Sequence, residues 1–404
     1  MPKKKLLELI SQRLFALAIL TIPISLSTVI WQNDLFLQGS HNTYASVGLY
    51  FNELIIFSAF STGFIDQLIK KKHISQKAFH GIGITLILIL ISILISSNKL
   101  ISALSSVHLL SGILMIYMII RKQLKINTII KLFIATITIQ AIIGIFQFMT
   151  QGSIGLGWIG ESLISPETSG VAKFNLGSHT LIRAYGTFPH PNIFAGFLMS
   201  AILLSETFKA NIKPIKTTSI QPILITALIF TASKTALIAT LIAFLIIKKV
   251  SLKKTIPFIG LIGLALILKH ETILQHETVQ ERLEYLIISS KMLLHSPQGV
   301  GLQQFTEHMQ SFTQIKLQPW QFQPVHNAFL LIANEMGIWT LALTIGVISK
   351  LRNIKNKHIL GMIAALITLG LFDHYLFSIY QGIILTGIMI GILIQVKTEP
   401  TKSG

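Results

Sequence analysis

The sequence predicts an all-α, polytopic membrane protein with about twelve transmembrane helices and a large extracytoplasmic loop domain. Three observations carry this expectation. The chain of 404 residues is 51% hydrophobic and only 12% charged, against about 25% charged in a soluble globular domain. Its Ile, Leu, Ala and Phe residues gather in runs, several of which reach the roughly 20 residues that cross a hydrocarbon core. Its basic residues cluster in alternate connections between those runs, as orienting charges do.

The apolar segments read as 14–30, 45–65, 81–97, 101–120, 128–149, 193–208, 220–231, 235–247, 255–268, 328–348, 359–372 and 376–396. The seventh and eighth are short and meet at Ala232-Ser233-Lys234. Loop charge decides whether they are one helix or two. Most of the 33 basic residues fall in one set of connections. These hold Lys3–Lys5 with Arg13, Lys70–Lys72 with Lys77, Arg121 to Lys131, Lys209 to Lys216, Lys248 to Lys254, Lys350 to Lys357, and Lys397 with Lys402. By the positive-inside rule this set is cytoplasmic, and both ends of the chain lie there with it. Merging the seventh and eighth segments would put Lys248 to Lys254 outside, so they read as separate helices. The stretch after Arg13 is too long for a cleaved signal and lacks a small-residue cleavage pattern. The chain therefore reads as a multi-pass protein of the cytoplasmic (inner) membrane.

The organisation that follows is a five-helix membrane region (1–149), an extracytoplasmic loop (150–192) and a four-helix membrane region (193–268). A second extracytoplasmic loop domain (269–326) and a three-helix membrane region (327–404) complete it. The first loop is rich in Gly, Ser and Pro. Within the second, 278–294 has helical apolar spacing through Leu283, Leu286, Ile287, Met292 and Leu293, then breaks at Pro297 and Gly299.

The net charge of +18 does not indicate nucleic acid, because it resides in short orienting clusters. The absence of cysteine excludes disulfides and thiolate metal sites. No His-Glu-x-x-His spacing or Asp-x-Asp pair marks a metal site, so neither metal nor cofactor is expected. Gly299-Val-Gly301 lacks the third glycine and the preceding strand of a phosphate loop and reads as a turn. Glu277, Glu281 and Glu284 share one helical face and read as solvated.

Outward-facing basic residues are few, and each carries information. Arg183 precedes Asn192, which is placed to cap the helix beginning there. Lys234 sits between two apolar runs. Arg282 opens the amphipathic stretch, and His326 with Asn327 opens the tenth segment. Arginine grips phosphate oxygens in pairs and lysine acts as a point charge, while histidine exchanges protons near neutral pH. The set reads as an anionic, phosphate-containing ligand beside a proton acceptor. Glu335 follows His326 by nine residues, which at about 100° per residue is half a turn away on a continuous helix; a helix-packing role is expected for it. Asp373-His374, at the outer end of the eleventh segment, is a further candidate pair.

Four stretches together resemble the O-antigen ligase and polymerase superfamily. Arg183-Ala-Tyr-Gly-Thr-Phe-Pro-His-Pro-Asn192 is similar to that family's Arg-x-x-Gly-Thr-Phe…Pro-Asn segment, which includes His190 here. Thr231-Ala-Ser-Lys-Thr-Ala236 resembles its Ser-Arg-x-Ala junction, with Lys234 in place of Arg; the charge is kept and bidentate geometry lost. Arg282, with Ser296-Pro-Gln-Gly-Val-Gly-Leu-Gln-Gln-Phe305 downstream, looks like its amphipathic helix and Pro-x-Gly-x-Gly turn. His326-Asn-Ala-Phe-Leu-Leu-Ile-Ala-Asn-Glu335-Met-Gly337 resembles its His-Asn-x-x-Leu…Glu-x-Gly signature. The motifs span Arg183 to Gly337.

The resemblance implies metal-independent glycosyl transfer from an undecaprenyl-diphosphate-linked glycan to a hydroxyl of a glycan, lipid or protein acceptor, on the outer side of the membrane. It implies that Arg183 and Arg282, with Lys234, bind the diphosphate and that His326 is the base. His190, Asn192, Asn327, Glu335 and Asp373 are supporting candidates. Within the superfamily a ligase and a polymerase of lipopolysaccharide or other polysaccharide glycans differ in acceptor. A transporter or flippase of lipid-linked glycans is the reading from another class, and it calls for midplane charges and broken helices.

Overall fold

The computed structural model describes residues 3–32, 44, 46–70, 76–177, 179–208, 217–250, 277–349 and 354–398. The fold is mostly helical, with 70% helix and 5% strand, in keeping with the all-α expectation apart from two small hairpins.

In chain order, α1 (Lys3–Leu20) leads through Pro23 into β1 (Ser27–Gln32), which pairs antiparallel with β2 (Ser46–Tyr50). Then come α2 (Phe51–Ile69), α3 (Gln76–Ile95), α4 (Lys99–Ile120) and α5 (Ile126–Thr150). The hairpin of β3 (Lys173–Leu176) and β4 (His179–Ile182) precedes α6 (Pro191–Phe208), α7 (Thr217–Phe230) and α8 (Lys234–Ile247). The chain continues with α9 (Glu277–His295), α10 (Ala328–Met336), α11 (Trp339–Ser349), α12 (Lys357–Phe372) and α13 (Tyr380–Thr398). Among the described residues, α4, α5 and α6 are long and apolar enough to cross a membrane, and shorter apolar helices accompany them.

The helices follow most of the expected segments, and the departures have local causes. The first helix lies earlier than 14–30, because Pro23 cannot continue it and Thr28-Val-Ile-Trp31 favours a strand. The second begins at Phe51, where Glu53 accepts the Tyr50 N–H at 2.9 Å in a capping box. Segments seven and eight are separate helices, as the charge pattern requires. Segment 328–348 is not continuous: it breaks after Met336, where Gly337 has φ +101°, a conformation that glycine adopts without Cβ strain. The ninth segment, 255–268, lies outside the described residues.

Helix α6 is the hub, buried on nearly all sides, as a helix apolar all round must be. Close crossings use glycine. A Cβ on Gly144 of α5 would meet Phe194 of α6 at 2.7 Å, and one on Gly387 of α13 would meet the Gly112 carbonyl of α4 at 2.6 Å. Small residues at helix interfaces let backbones touch in this way. Residues Tyr285, Ile288, Met292, Val300, Phe305, Met309, Leu317, Val325 and Leu331 form a second apolar cluster, apart from the main core. Helix α9 occurs where expected, but it is turned. Its buried face is Tyr285, Ile288 and Met292, while Leu283, Leu286 and Ile287 are exposed.

Candidate functional site

The site is built where α7 ends. The last carbonyls of a helix have no intrahelical donors. Here the Phe230 carbonyl accepts the N–H of Ala184 at 3.0 Å, and the Thr231 carbonyl accepts Arg183 Nε at 2.5 Å. A cation at this end is also favoured by the helix dipole. Ala232, at φ +47°, then turns the chain into α8. Two stretches distant in sequence are thereby locked together.

Arg183 also donates from Nη2 to Asn192 Oδ1 at 2.5 Å, and Asn192 Nδ2 donates to Asp373 Oδ2 at 2.9 Å. Asn192 is therefore not the side-chain cap expected of it. The carbonyl of His190 starts α6 by accepting from Ile193 and Phe194, and the Asn192 amide bridges a guanidinium and a carboxylate. The Asn192 backbone N–H donates to His190 Nδ1 at 3.1 Å.

Asp373 ties this bridge to the other side of the site. Its Oδ1 accepts the His374 N–H at 2.8 Å, and its carbonyl accepts the Ala328 N–H at 3.1 Å. The His326 ring stacks on Tyr285 with centroids 5.9 Å apart and meets His374 edge-on at 5.2 Å. Arg282 acts electrostatically on both His326 and His374. Two atoms here, His326 Nδ1 and Arg282 Nε, are sealed from solvent without a hydrogen-bond partner among the described residues. Such atoms cost about 1–3 kcal/mol each, and native structures hold few of them.

Burial, and then the neighbouring charges, disfavour the charged form of the three imidazoles. Burial, then His374, pushes the pKa of His326 down to about 3, with Arg282 adding to this and Asp373 opposing it. Burial, His190 and Arg282 bring His374 to about 3. Burial and Arg183 bring His190 to about 4. Burial also works against the charge of Arg183, while Tyr185 and Asp373 support it.

The structure thus joins Arg183, His190, Asn192, Arg282, His326 and Asp373. Lys234 follows the same turn as Thr231 and is exposed; no hydrogen bond or ion pair links it to the cluster among the described residues. Asn327 is structural, capping α10 through Leu330 N–H at 3.0 Å and donating to the Leu371 carbonyl at 3.1 Å. Glu335 takes no part in the cluster. It lies near the end of α10, where its carbonyl accepts the Gly301 N–H at 3.0 Å and the Ser92 hydroxyl at 3.2 Å. It fastens the 297–305 loop to the end of α10. The turn reading of Gly299-Val-Gly301 fits, since the N–H groups of all three residues bond protein carbonyls. Glu281 and Glu284 are less solvated than expected, accepting from Gln321 and Thr313.

Sequence reasoning missed Tyr285 and Tyr44. Tyr285 lies on the buried face of α9 and carries no motif. Tyr44 meets His374 edge-on at 5.4 Å, and no charge pattern marks it. Beside the cluster lies an apolar groove of about 740 Å³ between α4, α10, α11, α12 and α13. Its lining includes Ala328 and Phe329, just after Asn327, and Gly370 and Leu376, which flank Asp373-His374.

The chain matches no protein-family model, and no curated protein matches it.

Proposed function

We propose that the protein is an O-antigen ligase-like membrane glycosyltransferase that moves a glycan from undecaprenyl diphosphate to an acceptor hydroxyl on the outer side of the cytoplasmic membrane. The observation that carries this reading is the convergence of Arg183, Arg282 and the neutral His326 beside an apolar groove. Cations suit the diphosphate, the groove suits a polyprenyl chain, and the imidazole suits the acceptor proton.

In the reaction, the acceptor oxygen attacks the anomeric carbon as the bond from that carbon to the diphosphate oxygen breaks. The acceptor proton passes to His326, and the leaving diphosphate keeps the electron pair. Fixed guanidinium groups aimed at that developing charge lower the barrier, with Lys234 contributing from the α7–α8 turn. Direct displacement inverts the anomeric centre. The His326 pKa of about 3 belongs to the site without its anion. A bound diphosphate opposes Arg282 and His374 and raises that pKa toward the range in which a base works best.

The topology belongs to the same reading: about twelve spans, both termini cytoplasmic, and the 150–192 and 269–326 loops outside. The alternating basic clusters support it. The exposed Leu283, Leu286 and Ile287 of α9 suit a helix lying on the outer leaflet. A polymerase of the same superfamily would use this chemistry with another lipid-linked repeat as acceptor. The broken helices at Ala232 and Gly337 favour a second reading, transport of the lipid-linked glycan; transbilayer movement without a transfer product distinguishes it.

The test is binding of undecaprenyl diphosphate to an Arg183→Ala/Arg282→Ala double variant of normal abundance. Binding falls by at least about 100-fold if each charged contact is worth about 1.5–3 kcal/mol. Unchanged binding contradicts the assignment.

A further inference from the structure

His190 stands inside the cluster, yet the proposed reaction gives it no task. Its backbone is fixed, because its carbonyl receives the N–H groups of Ile193 at 3.1 Å and Phe194 at 3.2 Å. Its ring is fixed as well, because Nδ1 accepts the Asn192 N–H at 3.1 Å. A neutral imidazole has one N–H and one lone pair. The backbone donor occupies the lone pair on Nδ1, so the proton is on Nε2. Nε2 has no hydrogen-bond partner among the described residues.

A ring held in this way is a poor base, since its one lone pair is already engaged. It is a ready donor. The groups that face it are Arg183 and His326, which disfavour a charged ring, and Asp373, which favours one. Asp373 has both carboxylate oxygens bonded elsewhere, to His374 and Asn192. The guanidinium that would attract an anion is tied to His190 through Asn192, which bonds both.

We infer that His190 is a fixed, neutral N–H donor that binds a diphosphate oxygen beside Arg183 and exchanges no proton during transfer. The inference rests on reading the site as a diphosphate site. It gives the two nearby histidines opposite tasks: His326 accepts a proton, and His190 holds its own and donates a hydrogen bond. A hydrogen bond from a neutral donor to a charged oxygen is about twice as strong as a neutral pair, so its loss is measurable in binding.

The test uses the full chain in detergent and undecaprenyl diphosphate as the probe, with wild type, His190→Ala and His190→Gln compared. His190→Ala weakens binding about 10-fold or more. His190→Gln, whose amide N–H replaces Nε2–H, recovers most of the loss, which a merely structural role would not produce. Independently of any variant, nitrogen-15 spectra of histidine-labelled wild type show Nε2 protonated and Nδ1 bare at His190 from pH 5 to 8. Wild-type affinity in His190→Ala, or a proton on Nδ1, overturns the inference while leaving the diphosphate reading standing. Absence of binding by the wild type removes the diphosphate reading, and the task of His190 with it.

Discussion

Asp373 divides its oxygens among three partners. One carboxylate oxygen takes the His374 N–H, the other takes the Asn192 amide, and the carbonyl takes the Ala328 N–H. It thereby joins the end of α12 to the starts of α6 and α10. Asn192 stands between Asp373 and Arg183, so the guanidinium is oriented without a direct ion pair to neutralise it. The buried histidines set a pH dependence whose sign is fixed. Their folded pKa values, about 3 for His326 and His374 and about 4 for His190, lie below the unfolded value of about 6.5. The unfolded state therefore takes up protons first as pH falls. Stability is full above about pH 6.5 and declines toward pH 3. His374→Gln removes one of these groups, so the melting temperature of that variant falls less steeply between pH 6 and pH 4; an unchanged slope contradicts the account. At this scale the sequence singled out Arg183, Arg282 and His326, because few basic residues lie outside the alternating basic clusters. Asp373-His374 read only as an isolated pair. The bridge through Asn192 depends on a contact across 181 positions that no local pattern encodes.

Helix interruptions let elements distant in sequence meet, one of them at the site. The break at Ala232 exposes the carbonyls that receive Ala184 and Arg183, and the break at Gly337 leaves room for the 297–305 loop. A Cβ on Gly299 would meet the Gly337 nitrogen at 2.7 Å, and one on Gly301 would meet the Ser96 Cβ at 2.5 Å. The first break was legible from loop charge. The second was not, since Asn334 and Glu335 read as polar positions within one continuous helix and only the φ of Gly337 reveals the kink. Strand β1 was likewise hidden in an apolar run that suits either structure. The α4–α13 crossing offers a direct check. Gly387→Val places atoms against the Gly112 carbonyl and destabilises the protein by about 1–3 kcal/mol, read as a lowered melting temperature in detergent. Gly83→Ala in α3, where nothing among the described residues lies within 4 Å, does not lower it, since alanine is the better helix former. Equal effects of the two substitutions contradict the close-crossing assignment.

Across the whole molecule, charge and apolarity divide the work. Most basic residues mark one side of the chain's proposed path through the membrane, and the few others include every cation of the candidate site. The apolar groove runs from Ala328 and Gly370 to Leu393 and Ile394, along much of the length of α13. Under the proposed function, that groove holds the polyprenyl chain of the lipid-linked donor. The composition and hydrophobic runs made the helical, membrane-type architecture legible from sequence, whereas the groove emerges only from the packing of five helices. The most direct measurement is transfer by the purified protein, using an undecaprenyl-diphosphate glycan with polysaccharide-core lipid or a second lipid-linked repeat as acceptor. A glycosylated product is expected that forms equally well with a chelator present and falls by about 10²–10⁴-fold in His326→Ala. No product with either acceptor, or a product rate unchanged in His326→Ala, would contradict the proposed function.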